Sequence, residues 1–397
     1  MRAHGVSKSL THSGGAPMHS HRINVCHLAS GDLWAGAEVQ LTTLVSQIIK
    51  DPALDVSAVI LNEGRLAAEL RGRGVHVTVL DETKLNSFRI FKQLLTFLRT
   101  KPINILHTHR YKENVLGSIA AHFTGTPYVV RTVHGLHEHF TPLKHLKMLI
   151  YSRLNDLTAR YCTHRIIAVS SDIRNELRNT YGSDKIVCIH NAIDVKQIRA
   201  STNAVAKKEE LRIPNTDRVI GTIARLTPIK GIAHFLEAAR TISEQRPDVI
   251  FLIVGDGPLR HSLELLSTAL SIQKHVRFLG YREDIYDLIN IMDIVVLSSL
   301  HEGIPSVLLE ALTMRKSIVA TRVGGIPEVV TDGAGAILIE PSNPAQLAAA
   351  CLKLLDSSTQ GDEFTTKHRD QIVQRFSSEV SSEKVIALYK AAMTLRT

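Results

Sequence analysis

Ile294-Val-Val-Leu-Ser-Ser-Leu-His-Glu-Gly-Ile-Pro-Ser-Val-Leu-Leu-Glu-Ala-Leu312 is the stretch that decides the fold. An apolar run of strand length reaches Ser298, a short loop carries Glu302 and Gly303, and Pro305 opens an apolar helical segment running to Met314. Strands apolar on both faces belong to parallel sheets covered by helices, and proline suits a first helical turn. A helix start aims backbone N–H groups and the positive end of its dipole at the loop before it, which favours an anion there. Glu302 stands in that loop and Glu310 lies just beyond the first turn, so the two can touch different parts of one extended ligand. Read as ordinary surface or helical carboxylates, they leave Glu310 unexplained. It sits inside Val307-Leu-Leu-Glu-Ala-Leu312, where an unpartnered carboxylate is costly.

Outward from this stretch, strand-length apolar runs alternate with helix-length amphipathic segments along nearly the whole chain. That rhythm predicts α/β architecture with parallel sheets. Strands are expected at Arg22–Ala29, Val56–Leu61, Val75–Leu80, Ile103–His107, Tyr128–Val133, Arg165–Ser170 and Ile186–Ile189. A second set is expected at Val219–Ala224, Val249–Val254, Val276–Leu279, Ile294–Ser298, Ser317–Thr321 and Ala336–Ile339. The helices read between them include Ala37–Ile49, Arg65–Arg71, Arg89–Arg99, Asn114–His122, Thr141–Arg160, Ile232–Glu244, Leu259–Leu270, Pro305–Met314 and Ala345–Leu355. The polar segment Val195–Asn215 breaks the rhythm and marks a boundary. The expected division is a disordered tail over 1–21, an N-terminal Rossmann-like domain over 22–200, a second over 215–375, and a closing segment over 376–397 that contains the amphipathic helix Ser381–Leu395. Two doubly wound domains facing each other place a cleft at the carboxyl ends of both sheets.

Length and composition agree with a globular protein of more than one core: 397 residues, 44% apolar and 21% charged. The cysteines Cys26, Cys162, Cys188 and Cys351 are far apart, which reads as free thiols in a reducing, cytoplasmic setting. Nothing approaches the roughly 20 apolar residues of a membrane span, and the tail has no apolar core of a secretory signal. A net charge of +9 suits anionic partners. No zinc finger, RRM-like aromatic motif or Lys/Arg run points to nucleic acid.

Two further segments carry chemistry. In Gly221-Thr-Ile-Ala-Arg-Leu-Thr-Pro-Ile-Lys-Gly231, Arg225 leaves the end of a strand and Lys230 precedes a helix. A guanidinium and an ammonium together suit a diphosphate, and their hydrogen bonds strengthen as a leaving group gains charge. In Gly31-Asp-Leu-Trp-Ala-Gly-Ala-Glu38, small residues around Gly36 let backbone approach a ligand at a helix start. Neither this loop nor Gly255-Asp-Gly-Pro258 is G-x-G-x-x-G, which disfavours a dinucleotide-binding dehydrogenase.

Together these segments resemble the retaining glycosyltransferases of family 4, with the two-domain GT-B fold. The E-x7-E pattern runs from Glu302 to Glu310, the Arg-x4-Lys pair is Arg225 and Lys230, and the small-residue loop is Ala35-Gly-Ala-Glu38. Val254-Gly-Asp-Gly-Pro258, His190-Asn-Ala-Ile-Asp194 and Phe278-Leu-Gly-Tyr-Arg282 match in the same order. The resemblance implies that Glu310 binds the donor ribose, while Glu302, with Gly303, Ile304, Ser306 and Val307 after it, holds the transferred sugar and its nucleotide. Arg225 and Lys230 neutralise the diphosphate, Gly36 admits it, and Tyr281 and Arg282 border the base. His134, ending a strand in Arg131-Thr-Val-His-Gly-Leu-His-Glu-His139, faces the sugar. The last helix returns to the N-terminal domain.

The resemblance also implies a nucleotide-diphosphate sugar as substrate, UDP ahead of GDP, with neither cofactor nor metal. A metal reading of His134, His137 and His139 is therefore set aside, and His107 and His109 are open to a structural or a substrate role. The acceptor is expected to be a glycan or lipid-linked, in surface polysaccharide or glycolipid synthesis. The basic amphipathic segment His139–Arg165 fits either peripheral contact with the cytoplasmic face of an anionic membrane or a plain solvated face. A nucleotide-sugar epimerase and a non-catalytic nucleotide-sugar-binding protein are the rival readings. The first needs no E-x7-E pattern, and the second has no use for the complete charged set.

Overall fold

The computed structural model describes residues 22–394, apart from 33, 136–144, 334 and 358–361, and of 145–150 and 362–368 it describes the backbone alone. The tail over 1–21 and both His137 and His139 therefore lie outside the described residues.

The chain folds as two parallel α/β units. The first alternates β1 (Ile23–Ala29), α1 (Gly36–Ile48), β2 (Leu54–Ile60), α2 (Arg65–Gly72), β3 (His76–Val79), α3 (Ser87–Thr100), β4 (Ile105–Thr108) and α4 (Tyr111–Thr124). It continues through β5 (Tyr128–Val133), α5 (His145–Tyr161), β6 (Arg165–Ala168), α6 (Ser171–Tyr181) and β7 (Ile186–Cys188). After α7 (Ala204–Glu210), the second runs β8 (Arg218–Ile223), α8 (Ile232–Gln245), β9 (Val249–Val254), α9 (Arg260–Ala269), β10 (Val276–Gly280), α10 (Ile285–Ile291) and β11 (Ile294–Leu297). It closes with α11 (Ser306–Thr313), β12 (Ser317–Thr321), α12 (Ile326–Val329), β13 (Ala336–Ile339), α13 (Pro344–Asp356), α14 (Asp362–Phe376) and α15 (Ser378–Thr394).

The seven-stranded sheet has the order β3-β2-β1-β4-β5-β6-β7 and the six-stranded one β10-β9-β8-β11-β12-β13. Each is doubly wound: the chain builds outward on one side, then reverses between β1 and β4 and between β8 and β11. The sequence explains why strands such as Val249-Ile-Phe-Leu-Ile-Val254 lie inside. All six residues are buried, as a strand covered by helices on both faces requires. Caps set the helix starts: Asn86, Ser170, Asn203 and Asn343 each accept a backbone N–H of the helix that follows.

Each of the thirteen expected strands is found among the described residues, with ends shifted by a few positions. The helices α6, α10, α12 and α14 were not read from the sequence. α6 buries only Ile173 and Leu177 and is otherwise polar. α10 is separated from β11 only by Met292 and Asp293, so its apolar pattern merges with the strand. α14 is largely polar but seats Ile372 and Phe376 in the second core. α15 crosses to the first unit, where Val385, Tyr389 and Ala392 join the core formed by α1 and β1.

Candidate active site

A switch point in strand order leaves a crevice at the carboxyl ends of the two diverging strands, the usual ligand position in an open α/β sheet. Here there are two such crevices, and they open into one cleft of about 1330 Å³ between the units. Ligand pockets are commonly about 300–1,000 Å³, so this one has room for two substrates side by side. After β1 comes the loop to Gly36 and after β4 come His109 and Arg110. After β8 comes Arg225, and after β11 comes Glu302. The twelve residues singled out from the sequence (Gly36, His134, Arg225, Lys230, Tyr281, Arg282, Glu302, Gly303, Ile304, Ser306, Val307 and Glu310) all line this cleft.

The β11–α11 loop is fixed by the β8–α8 loop beside it. Ser298 donates its hydroxyl to the Lys230 carbonyl at 3.0 Å, and the Leu300 N–H donates to the Ile229 carbonyl at 2.8 Å. These bonds bring Lys230 Nζ to 2.6 Å from Glu302 Oε1, which also accepts the Ser299 hydroxyl at 2.6 Å. The ammonium and carboxylate read separately from the sequence are thus one ion pair on the cleft wall. Behind it, Gly324 has φ +53, and a Cβ there would lie 1.7 Å from the Glu302 carbonyl oxygen. Only glycine lets that backbone approach, so the position of Glu302 depends on it.

Glu310 differs. Its carboxylate keeps an edge on the cleft but is otherwise enclosed by protein, and burial pushes its pKa up to about 7. No side chain hydrogen-bonds it among the described residues. A carboxylate so placed is an acceptor waiting for donors.

On the opposite wall, α1 begins at Gly36, and the buried Glu38 accepts the Ala35 N–H at 3.2 Å and pairs with Arg110. His134 follows β5. Burial, and then the Arg110 charge, lower its pKa to about 4, so at neutral pH it is an uncharged imidazole able to donate or accept one hydrogen bond.

Tyr281 is half exposed, and its hydroxyl meets Arg65 from the first unit. Arg65 also reaches Glu283 at 2.6 Å and lies over the Trp34 ring at 4.5 Å. Arg282 is held within the second unit by Asp284 and Glu210. These carboxylates, Asp284 first, raise its pKa, and it stiffens the loop that carries Tyr281.

Comparison with known proteins decides the family. Two family models divide the chain: Glycosyltransferase Family 4 over residues 34–197 and Glycosyl transferases group 1 over residues 204–375. The chain belongs to the family 4 glycosyltransferases. UDP-Gal:α-D-GlcNAc-diphosphoundecaprenol α-1,3-galactosyltransferase of Escherichia coli is 28% identical over 378 residues, 93% of this chain and 97% of that one. α-Maltose-1-phosphate synthase of Mycolicibacterium smegmatis is 25% identical, with 90% and 96% covered. Among solved structures, the Anabaena HepE protein in complex with UDP and glucose superposes with a TM-score of 0.82 at 20% identity, over 93% of this chain and all of that one. The GT-B architecture and the activity class, glycosyl transfer by an enzyme, follow from these.

Several residues in this glycosyltransferase's cleft and in the structure around it were not singled out from the sequence. Asn191 donates its amide to the Ile304 carbonyl at 3.0 Å across the units, and its signal was present in His190-Asn-Ala-Ile-Asp194. Glu328 of α12 accepts the N–H groups of Ser171 (2.7 Å) and Asp172 (3.3 Å) at the start of α6, and lies 3.1 Å from His190 Nε2. Gly324-Gly-Ile-Pro-Glu328, a helix start on a loop, was the signal for it. Arg65 and His27 had no local signal.

Proposed function

We propose that this enzyme transfers a hexose, with retention of anomeric configuration, from a UDP-sugar to a glycan or lipid-linked acceptor in surface polysaccharide or glycolipid assembly. The observation that carries the reading is the Glu310 carboxylate, unpartnered among the described residues and about one turn into α11, with the Lys230–Glu302 pair before the start of that helix. Ribose offers a vicinal diol, two O–H donors that a lone carboxylate accepts. The diphosphate offers a charge that draws Lys230 from Glu302 and frees Glu302 for the sugar hydroxyls. Arg225 joins Lys230 on the leaving group, and the two meet the negative charge without calling on a metal.

As the bond from the anomeric carbon to the diphosphate oxygen breaks, charge builds on the phosphate against Arg225 and Lys230. The acceptor oxygen attacks from the same face and its proton passes to the departing diphosphate oxygen, so configuration is kept. The enzyme's part is orientation and charge stabilisation. His134, uncharged, hydrogen-bonds the sugar from the N-terminal side.

Placement at the cytoplasmic face of a membrane is supported by α5. Arg153, Leu154, Leu157, Arg160 and Tyr161 form one exposed face, in which apolar and basic side chains adjoin. No helix among the described residues is long and apolar enough to cross a membrane.

A ligand that binds only the native state raises the melting temperature, so UDP, GDP, ADP and their sugars form the test panel. UDP and one UDP-sugar should stabilise, and the first product seen by proton NMR should keep the donor's anomeric configuration. Stabilisation by GDP or ADP alone overturns the nucleotide, and an inverted product overturns retention. An epimerised sugar formed from donor alone establishes the epimerase instead.

A further inference from the structure

Behind His134 the N-terminal sheet carries three more histidines whose rings adjoin, on strands that are neighbours only because of the strand order. β1 and β4 pair with His27 opposite His107. His27 Nδ1 lies 3.0 Å from His109 Nε2, and His109 Nδ1 lies 3.3 Å from His134 Nε2. His27, His107 and His109 are buried, and His109 and His134 reach the cleft. The His107 ring stacks on His109 at 4.5 Å, and both its nitrogens are occupied, Nδ1 by the Tyr389 hydroxyl at 2.6 Å and Nε2 by the Thr132 hydroxyl at 2.7 Å. Tyr389 comes from α15, so the returning C-terminal helix clamps the stack.

The three rings His27, His109 and His134 each carry one N–H and one lone pair, because burial holds their pKa values well below 6.5. Two hydrogen bonds in series between such rings have only two consistent polarities. In one, His27 Nδ1–H donates to His109, His109 Nδ1–H donates to His134, and His134 presents Nδ1–H. In the other every proton is reversed: His134 Nδ1 is a bare lone pair and His27 Nε2–H is a donor. The two end nitrogens, His27 Nε2 and His134 Nδ1, are buried without a protein partner. Each polarity leaves one orphaned N–H, at His134 in the first and at His27 in the second, and a buried orphaned N–H is rarer than an under-used acceptor. His134 lines the cleft, where a ligand can accept that N–H, and His27 does not, which favours the first polarity.

We propose that His27 and His109 are positioning residues for the transfer, forming a relay of fixed polarity that holds His134 as the Nδ1–H tautomer, a hydrogen-bond donor to the bound sugar. This rests on the transferase reading for its catalytic consequence, but the tautomer itself does not. The same three buried rings, His27, His107 and His109, have nitrogens within 4.8 Å of one another. A metal among them would have to take a nitrogen of His107 from Tyr389 or Thr132, and stacked rings do not converge their lone pairs on one point.

The test uses the full chain labelled with 15N at histidine, and reads the long-range proton–nitrogen spectrum, in which the two imidazole tautomers are distinct. Wild type should show His134 as a single Nδ1–H form. His27→Asn keeps an N–H where Nδ1 stands and should keep that tautomer, with kcat within about threefold of wild type. His27→Leu removes the donor; His134 should become a mixture and kcat should fall by about tenfold, roughly 1.4 kcal/mol in the barrier, with the Kd for UDP unchanged. His134 found as the Nε2–H form overturns the proposal. So does a His27→Leu variant with an unmixed His134, and so does a stoichiometric metal in the purified protein. If His27→Leu fails to fold, the wild-type and His27→Asn spectra decide. If no donor is ever turned over, the transferase reading falls, while the tautomer spectrum still judges the relay.

Discussion

Replacing Glu310 with glutamine should make the free enzyme more stable and the donor complex weaker, each with a defined pH dependence. Burial raises the Glu310 pKa from 4.5 to about 7 in the folded chain. At about 1.4 kcal/mol per pH unit, ionising it in place costs about 3 kcal/mol. The sign follows from proton counts. Between pH 4.5 and about 7 the folded state holds a proton that the unfolded state has released, so stability falls as pH rises through this window. Above about 7 the whole cost is present, and below 4.5 it is absent. Glu310→Gln carries no such penalty, so the variant should gain on wild type by about 1 kcal/mol at pH 5.5 and about 3 kcal/mol at pH 8, over any constant offset from burying an amide. Urea midpoints by circular dichroism at both pH values measure the difference.

Donor binding runs the other way. A UDP-sugar has no phosphate that titrates near neutrality, so its affinity reports the protein. Wild-type affinity should rise from pH 5.5 to 7 and level off as the carboxylate becomes available to two ribose hydroxyls. The glutamine variant should bind more weakly at pH 8 and show no slope. A wild-type affinity that is flat over pH 5.5–8, or a variant that retains the slope, refutes Glu310 as the ribose acceptor.

Lys230→Met should lower kcat by about 100- to 1,000-fold through loss of charge on the leaving diphosphate. It should cost only about 1 kcal/mol of stability, because Glu302 keeps the Ser299 hydroxyl; near-wild-type turnover in the folded variant defeats the assignment. Cys188 and Glu328 beside the His190 ring raise its pKa to about 9. Its stabilisation should therefore be complete below pH 6.5 and disappear as pH rises through about 9, and Glu328→Gln should flatten that part of a stability–pH curve; an unchanged curve contradicts the pairing. Liposomes containing anionic lipid should sediment the enzyme, with Leu157→Asp reducing the bound fraction, whereas neutral liposomes should not; no sedimentation with either removes the membrane contact.

What could be read from the sequence was what is local in it. Strand periods such as Val249–Val254 and strand–loop–helix segments such as Ile294–Leu312 are complete within about twenty residues, so elements and candidate residues came out together. Pairing across the chain was not legible. Nothing near Lys230 names Glu302 as its partner, nothing near Ser171 names Glu328, and His27 is an unremarked histidine in an apolar strand until β4 is laid beside β1. The sheet order supplies these contacts. Polar helices failed for a different reason: α6 and α14 owe their form to a few buried residues and to packing, with little periodicity to betray them.

The two units meet closely beside Glu302. A Cβ on Gly303 would stand 2.9 Å from the His134 carbonyl oxygen and 3.1 Å from Val169 Cγ2, so the residue after Glu302 can carry no side chain if the units are to close to this distance. Beside that contact the described bonds between the units are polar: Glu328 to Ser171, Asp172 and His190, Asn191 to Ile304, and Arg65 to Glu283. Polar contacts return little net free energy when formed, because water satisfies the same groups when they part. An interface of this kind therefore permits relative motion of the units. On the proposed reading, a donor held by Glu310, Lys230 and Arg225 on one wall and His134 on the other would add the free energy that these polar contacts do not supply.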